Sequence, residues 1–151
     1  MTPRGTLAPW CRIVRETPTP PVGTGPDAYI REAGDVVRLL EARAAVEEVE
    51  VFYAVLLNTQ SRVLAVTEVS RGILNGSLVH PREVFRLAIA YGAAGIIVAH
   101  NHPSGDTTPS ADDRAITRQL VEAGKVLGIP VHDHVILSAG RWLSFQEAGL
   151  L

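Results

Sequence analysis

The sequence predicts a layered α/β domain. Three observations carry that expectation: apolar runs rich in β-branched and aromatic residues, helical-period stripes interleaved with them, and turn-forming residues at the joints. From Asp27 to about Ala45, the positions Ala33, Val36, Val37, Leu40 and Ala44 keep a helical period and predict an amphipathic helix. Residues 48–58 (EVEVFYAVLLN) alternate and then turn wholly apolar, which predicts a strand. A short turn at 59–61 leads to residues 62–69 (RVLAVTEV), read as its antiparallel partner. Pro81 suits a first helical position, and Val84, Leu87, Ala88 and Tyr91 follow it as an i, i+3, i+4, i+7 stripe. Residues 95–99 (GIIVA) read as a buried strand, and 101–109 as a loop of Pro, Gly, Ser and Asp. Residues 110–127 predict a further helix with Ile116, Leu120, Ala123 and Leu127 on one face. Residues 131–137 predict another strand, 141–143 a last one, and a short terminal helix follows.

Ahead of these elements, six of the ten prolines fall in the first 26 residues. Proline fixes φ and has no backbone donor, so residues 1–26 are expected to form an extended arm and residues 27–151 the folded domain. A chain of 151 residues suffices for one domain with its own core. At 46% hydrophobic and 20% charged residues, wholesale disorder is excluded. Fourteen Lys and Arg against sixteen Asp and Glu leave a formal charge of −2, with no global pull toward nucleic acid or an anionic membrane. Cys11 is the single cysteine, which excludes an intrachain disulfide and a cysteine zinc cage. The apolar runs at 51–57 and 93–99 fall far short of the ~20 residues of a spanning helix. No apolar export core is visible at the N-terminus, so the expected compartment is the cytoplasm.

All five histidines lie between residues 80 and 134, four of them as two His-x-His pairs. His100 and His102 sit where the apolar strand gives way to the loop. In an extended chain, residues i and i+2 point to the same side ~6.5 Å apart, within reach of one ion. Asp113, in the first turn of the next helix, can face back toward them. Two imidazole nitrogens and one carboxylate oxygen make the ligand set of a catalytic zinc with one position open to water. Ser110 and Asp113 also have the spacing of a helix cap, which needs no metal. The second pair, His132 and His134, lies inside an apolar run (IPVHDHVIL), where alternation puts both on one strand face and Asp133 on the other, with no third ligand nearby. It reads as a half-buried strand with hydrogen-bonded polar groups, or as support beside the first site. His80, before Pro81, reads as a surface residue at a helix start. A metal-activated water needs a base, and Glu47, Glu48, Glu50 and Glu68 are the candidates, each also readable as part of a solvated acidic rim.

The string HNHPSGDTTPSADD resembles the JAMM metalloprotease motif: His-x-His, seven residues, Ser, two residues, Asp, the spacing found between His102, Ser110 and Asp113. The wider set VHPREVFRLAI, GIIVAHNHPSGD, PSADD, DHVIL and SFQEAGLL narrows the resemblance to the bacterial RadC family, over about residues 49–151. That resemblance implies a three-layer α/β/α fold with a mixed sheet, similar to the cytidine-deaminase fold. It implies Zn2+ held by His100, His102 and Asp113, with Ser110 bonded to the metal's water or steadying the tetrahedral intermediate. Glu50, just before VFYAVLLN, holds the place of the catalytic glutamate, and Glu48 is its nearest competitor. The implied activity is hydrolysis of peptide or isopeptide bonds in a peptide or protein substrate. Two features depart from the family. The family usually carries an N-terminal helix-hairpin-helix-like region, where the arm and one helix are expected here, and Asn58 and His132 stand where Asp and an aliphatic residue are usual. A zinc deaminase is disfavoured because Pro-Cys-x-x-Cys is absent, and a serine hydrolase because Gly-x-Ser-x-Gly is absent. The competing expectation is a DNA-associated accessory protein of repair or recombination, with a structural metal or an activity on nucleic acid. It would use a basic surface of Arg62, Arg71, Arg82, Arg86 and Arg114, interrupted by Glu68 and Glu83. Residues 69–80 are a candidate specificity loop.

Overall fold

The run VFYAVLL has no polar face because it forms a central strand, β1 (Val51–Leu57), buried along its whole length. Phe52, Ala54 and Leu56 pack into one apolar cluster, and Val51, Tyr53, Val55 and Leu57 into another on the opposite side. The computed structural model describes residues 28–72 and 79–151. The arm of residues 1–26, Cys11 within it, and residues 73–78 of the candidate specificity loop lie outside the described residues.

Around β1 the elements follow as α1 (Ala33–Ala44), before it, then β2 (Val63–Arg71), α2 (Pro81–Ala90), β3 (Gly95–Asn101), α3 (Ala111–Leu127), β4 (Val131–Ser138) and β5 (Arg141–Ser144). The five strands form one sheet in the order β2-β1-β3-β4-β5. β1 runs antiparallel to β2 and β3, β3 and β4 are parallel, and β5 is antiparallel to β4, so the sheet is mixed. Val84, Phe85 and Ala88 of α2 and Ile116 and Leu120 of α3 cover one face. Ala33, Val36 and Leu40 of α1 cover the other. Three layers result, α/β/α, as the resemblance implies. Each large apolar side chain buried in these layers contributes ~1.5–3 kcal/mol against the entropy of ordering the chain.

β2 and β3 each run two residues past their expected ends, to Arg71 and Asn101, and three further differences stand out. α1 begins at Ala33 rather than Asp27, because Glu32 and Asp35 form a reciprocal capping box there. The residues before it are extended: Tyr29 bridges to Arg62, and the Ile30 N–H donates to the Ser61 carbonyl at 2.9 Å. The first strand starts at Val51 rather than Glu48. The expected terminal helix is instead a set of hydrogen-bonded turns, with Gly149 at a φ of 69°, a left-handed conformation that stops helical propagation. Those turns are tied to the sheet by Asp133, whose carboxylate accepts from the Gln146 N–H and the Ser144 hydroxyl.

α3 matters most for the site. Ser110 caps its start and Gly128, at a φ of 69°, closes its end. As the crossover between parallel β3 and β4, it brings its first turn to the carboxyl end of β3.

Candidate metal centre

His100 is the next-to-last residue of β3, opposite Phe52, and His102 is the first residue beyond the strand. The i, i+2 spacing puts both rings on the sheet face that packs α2 and α3, with His100 Nε2 and His102 Nε2 2.8 Å apart. Asp113 enters from the first turn of α3. Its Oδ1 stands 3.3 Å from His100 Nε2 and its Oδ2 3.3 Å from His102 Nε2. All three donor atoms fall within 4.8 Å of one another. A tetrahedral ion with bonds of ~2.0–2.1 Å would set its ligands ~3.3 Å apart, so this trio has the spacing and the donor chemistry of such a site.

The local sequence explains each placement. The loop after His102 curls back so that the Asp106 carbonyl accepts from His102 Nδ1 at 2.7 Å. A carbonyl only accepts, so Nδ1 carries the proton and Nε2 keeps its lone pair for the ion. The Ser110 hydroxyl accepts from the Asp113 N–H at 3.0 Å, while Asp113 Oδ2 accepts from the Ser110 N–H at 2.8 Å. The cap and the metal-site readings of Ser110 and Asp113 are therefore compatible: the capping box aims the carboxylate.

Electrostatics follow from this packing. Burial pushes the Asp113 carboxyl up, but its side-chain contacts with His100 and His102, the charge of His100 and the Ser110 N–H outweigh it and hold the group well below the usual carboxylate range. His102 is raised above an ordinary imidazole, first by its bond to Asp113, against desolvation, with Asp106 and the charge of Glu50 adding to the rise. His134 is pushed well down by complete burial, with the charge of His100 adding to it.

Glu50, the expected base, precedes β1. The β1–β3 register pairs Phe52 with His100, and carried on by two residues it sets Glu50 across from His102. The Asn101 side chain pins the backbone on both sides of Glu50, accepting from the Val51 N–H at 2.7 Å and donating to the Val49 carbonyl at 2.9 Å. Glu48 is exposed and lines a cleft of about 770 Å3 together with His102, Pro103 and the end of α1. Glu47 and Glu68 are both engaged by Arg71. Of the arginines that would make a basic surface, Arg71 is thus paired twice, and Arg82 and Arg86 both approach Glu83.

The second histidine pair separates. A register shift opposite Ile96 and Ile97 gives β4 one extra residue, His132, so His132 and His134 do not share a strand face as the alternation predicts. His132 is exposed, and its ring sits so close over Gly95 that a Cβ there would meet Nε2 at 2.3 Å. His134 turns inward with no exposure at all. Its Nε2 is 2.7 Å from His100 Nδ1, and its Nδ1 is 2.6 Å from the Thr117 hydroxyl. Phe145 stacks on its ring at 4.6 Å, as Phe52 stacks on His100 at 5.9 Å. Thr117 and Asn101 were not among the residues singled out from the sequence. Thr117 lies one turn beyond Asp113, a spacing that could have marked it; nothing local marks Asn101. His80 is exposed and caps α2, as expected, accepting from the Arg82 N–H at 3.2 Å.

Sequence comparison agrees with this geometry. A family described as the RadC-like JAB domain matches residues 30–150. The chain belongs to the RadC-like JAB family. It is 53% identical over 116 residues to a UPF0758 protein of Symbiobacterium thermophilum, covering 77% of this chain and 50% of that one. A UPF0758 protein of Moorella thermoacetica is 52% identical over 122 residues, covering 81% and 53%. One of Methanococcoides burtonii is 45% identical over 126 residues, covering 83% and 55%. The chain thus spans about half the length of these RadC-family relatives. Among the described residues, no helix is long and apolar enough to cross a membrane.

Proposed function

We propose that this RadC-like JAB domain is a zinc-dependent hydrolase of peptide or isopeptide bonds, with a peptide or protein as substrate. The observation that carries the reading is the convergence of His100 Nε2, His102 Nε2 and an Asp113 oxygen within 4.8 Å, beside a glutamate that is not one of them. A zinc ion held by these three would supply Lewis acidity, making a water nucleophilic near neutral pH and polarising an amide carbonyl. In this reading Asp113 supplies charge from a carboxylate that stays ionised. Glu50 accepts the proton of the attacking water at its carboxylate and returns it to the leaving nitrogen, as a general base and then acid. The Ser110 hydroxyl has its oxygen occupied by the Asp113 N–H and its own proton left to donate to the developing oxyanion.

Zinc-loaded protein is incubated with a peptide and isopeptide library, beside Glu50→Gln and His102→Ala. The expected result is about one zinc per chain, lost in His102→Ala. Glu50→Gln should retain the metal while turnover falls ~10²–10⁴-fold. Zinc retained by His102→Ala, or cleavage unchanged in excess chelator, would overturn the reading.

A further inference from the structure

The buried pair His134 and Thr117 lies next to the candidate centre and supplies no ligand, and its hydrogen bonds, taken together, set one placement of protons. The Thr117 hydroxyl has a single proton and lies 2.6 Å from the Asp113 main-chain carbonyl one turn back, which can only accept. That proton is therefore spent on the carbonyl, and toward His134 the Thr117 oxygen must accept. His134 Nδ1, 2.6 Å away, must then carry a proton. Well above the ordinary histidine value of ~6.5 an imidazole carries one proton, and His134 has spent it at Nδ1, so its fully buried Nε2 is a bare lone pair. The atom facing that lone pair at 2.7 Å is His100 Nδ1, which must donate. His100 is left with an unprotonated Nε2, the atom aimed at His102 and Asp113.

We propose that Thr117 and His134 are positioning residues that fix His100 in its Nδ1–H tautomer, so that the ligating lone pair exists before any ion arrives. The inference rests on the metal reading above, and it reaches past the ligands to a relay that starts at a helix carbonyl. Two features of the packing serve it. Phe145 and Phe52 stack on the two rings and hold their planes, and the crossover helix that delivers Asp113 also delivers Thr117, four residues on, to the same face. His102 reaches the same tautomer by an independent route, through the Asp106 carbonyl. Both imidazoles are thus set for the ion by backbone carbonyls, one directly and one through two side chains. Outer partners of this kind commonly carry ~10–100-fold in metal affinity.

Nitrogen NMR of histidine-labelled, metal-free protein reads the tautomers directly, at about two pH units above the ordinary histidine value of ~6.5. The expected result is a proton on Nδ1 of both His134 and His100. Thr117→Val removes the hydroxyl at nearly constant volume and should move part of both populations to Nε2–H. It should also weaken zinc binding ~10–100-fold in a chromophoric-chelator competition, whereas Thr117→Ser should keep the wild-type tautomers and affinity. His134→Phe, which keeps a ring against Phe145 but offers no acceptor, should show the same loss and serves if Thr117→Val does not fold. A proton on His100 Nε2 in the wild type would overturn the proposal, as would unchanged tautomers and affinity in Thr117→Val. Failure of the metal reading is distinct: the wild type would then bind no zinc, while the tautomers would still answer the question about the relay.

Discussion

Replacing Asn101 with alanine should cost far more than the loss of one surface amide. The side chain accepts from the Val51 N–H at 2.7 Å and donates to the Val49 carbonyl at 2.9 Å. Val51 is completely buried, so its N–H would lose its partner with no water to replace it, a cost of ~1–3 kcal/mol. The bond to Val49, whose residue is partly exposed, adds ~0.5–1.5 kcal/mol. Together they predict a loss of ~2–4 kcal/mol in urea unfolding. At ~3–4 °C per kcal/mol for a domain of this size, the thermal midpoint should fall by ~6–16 °C. The consequence for function is separable, because Asn101 donates nothing to the three ligating atoms. Zinc affinity should hold, while turnover dependent on Glu50 falls ~10-fold or more as the backbone on both sides of that residue loosens. Unfolding curves in chelator and zinc competition on the folded variant check both halves. A destabilisation below ~0.5 kcal/mol, the range of an ordinary surface substitution, would refute the argument that this amide clamps the start of β1.

Two further outcomes follow from the same geometry. In the metal-free protein His102 is raised above the ordinary histidine value by Asp113, so their pairing contributes fully below ~6.5 and is lost as pH rises through the folded value. The stability advantage of wild type over Asp113→Asn, measured by urea unfolding in chelator, should therefore shrink as pH rises above ~6.5. Taking the difference cancels most of the opposite slope of His134, whose folded value is lowered and which is present in both proteins; an advantage that grows with pH would contradict the assignment. Gly124→Ala, a change that favours an isolated helix by ~1 kcal/mol, should instead lower the melting temperature of this one. A Cβ there would meet the Ile129 carbonyl at 2.5 Å, and relieving such an overlap against backbone costs ~1–3 kcal/mol.

The histidine pair, the serine and the aspartate were legible in the sequence because their spacing is local. His100 and His102 share a strand face, and Ser110 and Asp113 share a helical turn, so counting residues suffices. β1 was legible as a continuous apolar run because a central strand is covered on both faces. What escaped was set by long-range pairing. The bulge that splits His132 from His134 exists only in the register against β3, and alternation alone put both on one face. Asn101 reads as a loop residue until β1 lies beside it, 50 residues away in sequence from the Val51 N–H it accepts. The start of α1 was misplaced because Glu32, which is not one of the usual capping residues, begins it in partnership with Asp35.

The order of the elements in the chain also sets an order of completion during synthesis. A nascent chain that has reached residue 113 already contains every proposed ligand, yet β3 lacks one of its two neighbours in the sheet. The ring that sets His100 arrives 34 residues after it, on β4. That strand is held in turn by β5 and by the terminal turns gripped through Asp133. Ribosome-bound intermediates would thus hold zinc, if at all, through unset imidazoles on an unfinished sheet edge. Tight capture therefore waits for β4, for β5 and for the turns that Asp133 holds, segments that supply no ligand yet latch the site.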